Sequence, residues 1–267
     1  MIEFYRKAIV KTHPLIHCIT NPISITQCAN AVLAIGGRPI MAEHPGEVAE
    51  ITRTADGLLL NLGNITDVRM ESMKISLKEA VQCNIPVVLD AVGVACSHLR
   101  RDYVNELFSI GIPTVVKGNY SEILALANVS YQALGVDAEE QLSKPEITAA
   151  AIHLAKEYKT MILASGKTDI LTDGTQIIYI ENGSPQLATI TGTGCMLGAM
   201  SACYLSAKSD IQALVTACAV LGISGELSET ERGCGSFYCN LLDHIQTISE
   251  KEIHERIRIE VKTIEEI

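Results

Sequence analysis

The stretch PVVLDAVGVACSHLRRDYVNELFSIGIPTVVKGNYSEILALA, residues 86–127, decides the fold. Residues 86–90 and 113–117 are short and nearly continuous in apolar residues, the pattern of strands covered on both faces. Residues 99–109 and 121–127 carry helical spacing. A strand–helix unit repeated in so short a span requires parallel strands joined by helical crossovers. Working outward, residues 58–62 and 161–164 repeat the strand pattern, and residues 72–82 and 145–158 the helical one. The chain is therefore predicted to be α/β: a three-layer αβα sandwich with a mainly parallel central sheet. Asn21-Pro22 reads as an N-cap with proline in the first turn, opening a helix that ends near Gly36-Gly37. Asp173-Gly174, between two alternating runs, predicts a β-hairpin that adds antiparallel strands. From Cys195 onward the pattern is helical, over residues 195–207, 211–229 and 236–249. The charged tail from Glu250 reads as a solvated helix or fraying end, and Glu139-Glu140 as solvated surface. No linker, repeat or composition break divides the chain, so one domain over residues 1–267 is expected.

Composition narrows the function. Hydrophobic residues make up 48% of the 267, aromatics only 4%, and tryptophan is absent, so the core must be aliphatic. A chain this long can bury roughly three quarters of its unfolded surface. Its formal net charge of −10, with no basic run, disfavours nucleic acid and anionic membranes as partners. The nine cysteines are odd in number, lack a C-x-x-C pair and sit in apolar segments. They read mostly as small buried hydrophobes in a reducing compartment. The first residues lack a signal-peptide core, and no apolar run reaches the ~18 residues of a membrane span, so a cytoplasmic protein is expected. The seven histidines form no metal-ligand spacing.

In such sheets ligands bind beyond the carboxyl ends of the strands. Three polar segments fall there: Asp90 before Ala91-Val92-Gly93, Lys117 through Glu122, and Ser165 through Asp169. Alone, each could be a turn or helix cap. Together they suit Mg²⁺ and phosphates, because Mg²⁺ takes a few carboxylates plus water and phosphate oxygens. The segment TITGTGCMLGAM, residues 189–200, places two glycines ahead of a helix read as starting at Met196. Gly192 and Gly194 let backbone amides approach a ligand, and a helix N-terminus favours an oxyanion. Cys195 would feel the same field. Gly166-Lys167-Thr168 is no P-loop, because the required earlier glycine is Met161 and the segment runs into the hairpin. Gly192-x-Gly194 is no Rossmann fingerprint, since Leu197 stands where the third glycine belongs.

Asn119-Tyr120-Ser121-Glu122 matches the N-x-x-E motif of the ribokinase-like superfamily, and Gly192 through Cys195 stands where those kinases carry Gly-x-Gly-Asp. Cysteine at 195, with Asn21-Pro22-Ile23-Ser24, Gly37 through Pro45, Leu89 through Gly93 and Lys117-Gly118-Asn119, resembles the hydroxyethylthiazole kinase family. These thiamine-salvage enzymes phosphorylate 4-methyl-5-(2-hydroxyethyl)thiazole. The resemblance runs from about Asn21 to Cys239. It implies a sandwich without a lid, assembled as a homotrimer with active sites between subunits, using ATP and Mg²⁺. It implies that Met41 and Gly192 contact the thiazole, with Asn21 and Gly63 nearby. Lys117, Ser165 and Asn119 would line the ATP site, and Gly192, Thr193 and Gly194 would form the anion hole. Cys195 would be catalytic, beside the attacking hydroxyl, while Asp90 and Glu122 organise the metal. Lys117 stands where the family often has Arg, keeping the charge but not the bidentate fork. Other readings are a related kinase for a hydroxymethylpyrimidine or pyridoxal-type alcohol, a cysteine hydrolase lacking a histidine motif, and a nucleotide sensor.

Overall fold

Along the central strands, neighbouring apolar residues face opposite ways, and that alternation builds helical layers on both sides of one sheet. The computed structural model describes residues 2–127 and 143–264; Glu139-Glu140 lies outside them. In chain order the elements are α1 (Ile2–Thr12), β1 (Leu15–Ile19), α2 (Ile25–Ala34), β2 (Arg38–Ile40), α3 (Val48–Thr54) and β3 (Gly57–Asn61). There follow α4 (Asp67–Cys83), β4 (Val87–Asp90), α5 (His98–Ile110), β5 (Val115–Asn119), α6 (Tyr120–Ala127), α7 (Lys144–Tyr158) and β6 (Met161–Ser165). The chain continues through β7 (Asp169–Thr172), β8 (Gln176–Ile180), α8 (Thr193–Ala207), α9 (Ile211–Leu227), α10 (Cys234–Thr247), α11 (Glu250–Arg256) and β9 (Ile259–Thr263).

The nine strands form one sheet in the order β2-β1-β3-β4-β5-β6-β7-β8-β9. The first six in that order pair in parallel, and β7, β8 and β9 add antiparallel ladders. The chain winds from β1 one way to β2 and then the other way to β3. That reversal opens a crevice at the carboxyl end of β1, beside Asn21. Leu59, Val88, Val115 and Leu163 face α8 and α9, which α1, α2 and α10 cover from behind. Their neighbours Leu58, Leu60, Val87 and Leu89 face α4 and α5, while Val116, Ile162 and Ile170 face α6 and α7. Helices α8 and α9 are apolar nearly all round because they lie between two layers. Among the described residues no helix is long and apolar enough to cross a membrane.

The predicted strands and the β7–β8 hairpin form as expected, with Gly174 at φ +87° in the turn. Three local readings change. Helix α2 starts at Ile25, because the Asn21 side-chain oxygen accepts the amides of Ile23 and Ser24 and holds residues 21–24 in a turn. The charged tail opens with the helix read there, α11, closed by a capping box of Ser249 and Glu252, but it continues into β9, which pairs with β8 instead of fraying. All nine cysteines are free, but only Cys18, Cys28, Cys203 and Cys218 are buried. Cys195 is half-buried, whereas Cys83, Cys96, Cys234 and Cys239 are exposed on helices and loops.

Candidate active site

Parallel register sets the polar strand ends side by side. Asn61 lies opposite Asp90, Asp90 opposite Lys117, and Asn119 opposite Ser165. Helix α8 crosses above them, and Gly198 permits the close approach: a Cβ there would stand 3.1 Å from Leu59 Cδ1 and 3.5 Å from Asp90 Oδ2.

Under α8 the side chains form one network. Lys117 Nζ donates to Asp90 Oδ1 at 3.0 Å, and both residues are buried. The Asn61 amide donates to Asp90 Oδ2 at 2.8 Å and to Cys195 Sγ at 3.3 Å. Its oxygen accepts from Asn21 Nδ2 and from the Gly63 amide, each at 2.9 Å. Asn21 Nδ2 also reaches Cys195 Sγ at 3.6 Å. Position 63 must be glycine here, since a Cβ would come within 2.7 Å of Asn21 Nδ2. Burial pushes the Asp90 carboxyl up, with Lys117 and Asn61 pulling it back. Burial works against the Lys117 charge, but the Asp90 carboxylate beside it carries the ammonium up to about 12. For Cys195, burial and then the Asp90 charge raise the thiol, against hydrogen bonding from Ser24 and Asn61 and the field of Lys117. The thiol is therefore protonated at neutral pH. The helix field alone had pointed the other way; burial of the thiol, with the Asp90 charge behind it, outweighs it.

Helix α8 begins three residues earlier than its apolar pattern indicated, at Thr193, with Gly192 as N-cap at φ +90°. Gly192 also presses on α2's entry, where a Cβ would lie 2.9 Å from Ser24 Cβ. The first helical rung runs from the Met196 amide to the Gly192 carbonyl at 2.8 Å. The amides of Thr193, Gly194 and Cys195 consequently have no acceptor within the helix. Among the described residues beyond its chain neighbours and its own helix backbone, only Lys117 Nζ stands within 4 Å of a Cβ placed on Gly194, at 3.7 Å. Helix N-terminus and buried ammonium thus converge on one small volume, which favours a multiply charged anion.

Glu122 joins two segments. Its carboxylate accepts the Gly93 amide at 2.7 Å and the Asn119 amide at 2.6 Å, while Asn119 Oδ1 accepts the Glu122 amide at 2.8 Å. The N-x-x-E motif is therefore a capping box on α6 that also ties down the turn after β4. Burial and then the Asp90 charge raise the Glu122 carboxyl; the two amides and Lys117 oppose them. Two buried carboxylates face one buried ammonium, an excess of negative charge that a hard cation would relieve. Among the described residues no three His, Cys, Asp or Glu side chains gather as a cage.

Beside the cradle a groove of about 1000 Å³ is lined by Ser165, Lys167, Thr193, Gly194, Leu197 and Leu221, among others. Its mixed walls, polar at the β6 end and apolar along α8 and α9, suit a nucleotide. Ser165 Oγ donates to the Gly118 carbonyl at 3.3 Å, joining β6 to β5 at the groove's edge. Asp169, also on its wall, is pushed up by burial to about 6, against a hydrogen bond from the Gly166 amide. Met41 is half-buried against the α8-side core and, with Asn21 and Gly63, lies toward β1, β2 and β3. Asn61 was not singled out from the sequence. Its signal was a lone polar residue interrupting the apolar run 58–62. Ser24, which offsets part of the rise of the Cys195 thiol, was read only as part of a motif.

Residues 7–251 match the model of the hydroxyethylthiazole kinase family. A relative named hydroxyethylthiazole kinase 2, from Clostridium botulinum, is 46% identical over 259 residues, covering 95% of this chain and 98% of its own. The solved structure of a hydroxyethylthiazole kinase protein from Pyrococcus horikoshii matches with a TM-score of 0.88 at 30% identity, covering 98% of each chain. A ribokinase-like superfamily protein from Enterococcus faecalis matches with a TM-score of 0.69 at 12% identity, covering 94% and 95% of the two chains, a likeness of fold.

Proposed function

From the premise that this chain belongs to the hydroxyethylthiazole kinase family, we propose that it transfers the γ-phosphoryl group of ATP to the hydroxyl of 4-methyl-5-(2-hydroxyethyl)thiazole in thiamine salvage. The observation that carries the reading is the amide cradle of residues 193–195 backed by the Lys117 ammonium. ATP enters the groove, with Ser165 and Asn119 at its edge and Lys117 beneath the phosphates. Gly192, Thr193 and Gly194 hold the γ-phosphoryl oxygens. Bound with the nucleotide, Mg²⁺ supplies neutralisation of the β/γ charge, and Asp90 and Glu122 would hold it, partly through water.

Thiazole packs beside Met41, whose soft thioether suits a flat sulfur heterocycle, with Asn21, Gly63 and Gly192 nearby. Cys195 sits beside the attacking oxygen. A loose transition state asks little prior deprotonation, so a protonated thiol is tolerable, and positioning and charge stabilisation dominate. The thiol, already protonated, orients that hydroxyl, whose proton passes late to an oxygen of the transferring phosphoryl group. One domain, acting as a homotrimer with inter-subunit sites, completes the reading. Ile23, 61% exposed beside the buried Asn21, supports a covering neighbour there. The free thiols support a cytoplasmic setting.

A coupled ADP assay with the thiazole alcohol, ATP and Mg²⁺ tests the proposal. Thiazole-dependent ADP release is expected. Release with a hydroxymethylpyrimidine or pyridoxal alcohol instead would reassign the substrate, and ATP binding without any turnover would end the kinase reading.

A further inference from the structure

The residues assigned to the acceptor alcohol sit on two loops: Met41 follows β2 and Gly63 follows β3. Strand β1 separates these strands, so no direct ladder joins them and the loops beyond their ends are spaced by other contacts. Arg69, in the first turn of α4, spans the gap. Its Nε donates to Glu43 Oε2 at 2.7 Å and its Nη2 to Oε1 at 3.4 Å, while Nη1 donates to the Asn64 carbonyl at 3.0 Å. The Met41 loop is further pinned by two bonds to its backbone. Ser72 Oγ donates to the Glu43 carbonyl at 2.7 Å, and buried His17 places Nε2 2.9 Å from the Ala42 carbonyl. Asn64 holds a left-handed backbone at φ +45°, a conformation its neighbours must sustain.

We propose that Arg69 is a positioning residue for the acceptor pocket: through Glu43 and Asn64 it sets the distance between the Met41 and Gly63 walls, and with it which alcohol fits. The inference rests on the assignment of those two residues to the acceptor side. An exposed ion pair alone would carry little weight. Arg69, however, is only 11% exposed and divides a rigid fork between two chain segments, which a lysine cannot do.

The test compares Arg69→Ala, Arg69→Lys and Glu43→Gln with the parent enzyme, reading KM for the alcohol, KM for ATP, kcat and melting temperature. Arg69→Ala should raise the alcohol KM at least tenfold while the ATP KM stays within twofold. Arg69→Lys and Glu43→Gln, which keep charge or shape, should show the same split at a few-fold, and they decide the matter if Arg69→Ala does not fold. An unchanged alcohol KM in all three, or both KM values rising together, overturns the brace. Met41→Ala separates this from the functional reading. If it raises the alcohol KM while the Arg69 variants do not, the brace falls and the pocket stands. If the parent enzyme uses another alcohol, the substrate assignment falls, and the same split is read on that alcohol.

Discussion

Cys195 shows how one side chain takes its character from distant partners. Burial and the Asp90 charge keep its thiol protonated, while two asparagine amides donate to the sulfur. Cys195→Ser or Cys195→Ala should therefore lower kcat by about 10- to 100-fold through poorer placement of the attacking hydroxyl, without abolishing turnover. Cys195→Asp, which adds a proton acceptor, should preserve or raise kcat; a variant that binds both substrates yet is inactive would remove residue 195 from the hydroxyl's side. Asp169 gives a pH-dependent case. Its folded-state carboxyl at about 6 lies above the ordinary carboxylate value, so the folded state binds its proton more tightly than the unfolded chain. Ionising it in the fold costs stability as pH rises towards 6, and the full cost persists above. Asp169→Asn should raise thermal stability at pH 7.5 by on the order of 1–2 kcal/mol, the gain fading as pH falls from 6 to 4. Asp90, Lys117 and Gly192 were legible in sequence because strand ends and glycines announce themselves locally. Asn61 was not: its meaning lies in partners 29 and 134 residues away.

At the scale of elements, legibility followed length and periodicity. The strands β3 to β6 and the helices α4 and α5 were readable because each is long or uniformly apolar. Strand β2 spans only three residues, Arg38–Ile40, and takes its pairing from β1, which no local pattern reports. The early start of α8 escaped notice because its first turn is built from threonine and glycine, poor helix formers held there by the fold. The motif at Asn119–Glu122 was readable, and of its two readings, helix cap and metal carboxylate, the structure displays the cap. Glu122→Gln distinguishes the two roles. It should cost about 1–3 kcal/mol of stability, since one of two buried amides loses its carboxylate acceptor. It should also raise the Mg²⁺ concentration for half-maximal rate severalfold, with the thiazole KM nearly unchanged. A loss of stability alone would leave Glu122 as a cap.

The whole molecule is a sheet whose polar ends are gathered by topology, and its layer order followed from strand–helix alternation. Quaternary structure leaves no such periodic trace. Native mass measurement should find threefold the 28.8 kDa chain mass, and a monomer with full activity would refute inter-subunit sites. The order of the strands also bears on how the protein is made. Strand β9, the last of the nine to be synthesised, covers the flank of β8. Until residues 259–263 are in place, the flank of β8 displays an open row of backbone donors and acceptors. The vulnerable interval of that flank thus falls after the other eight strands are made, when most of the hydrophobic interior is already present.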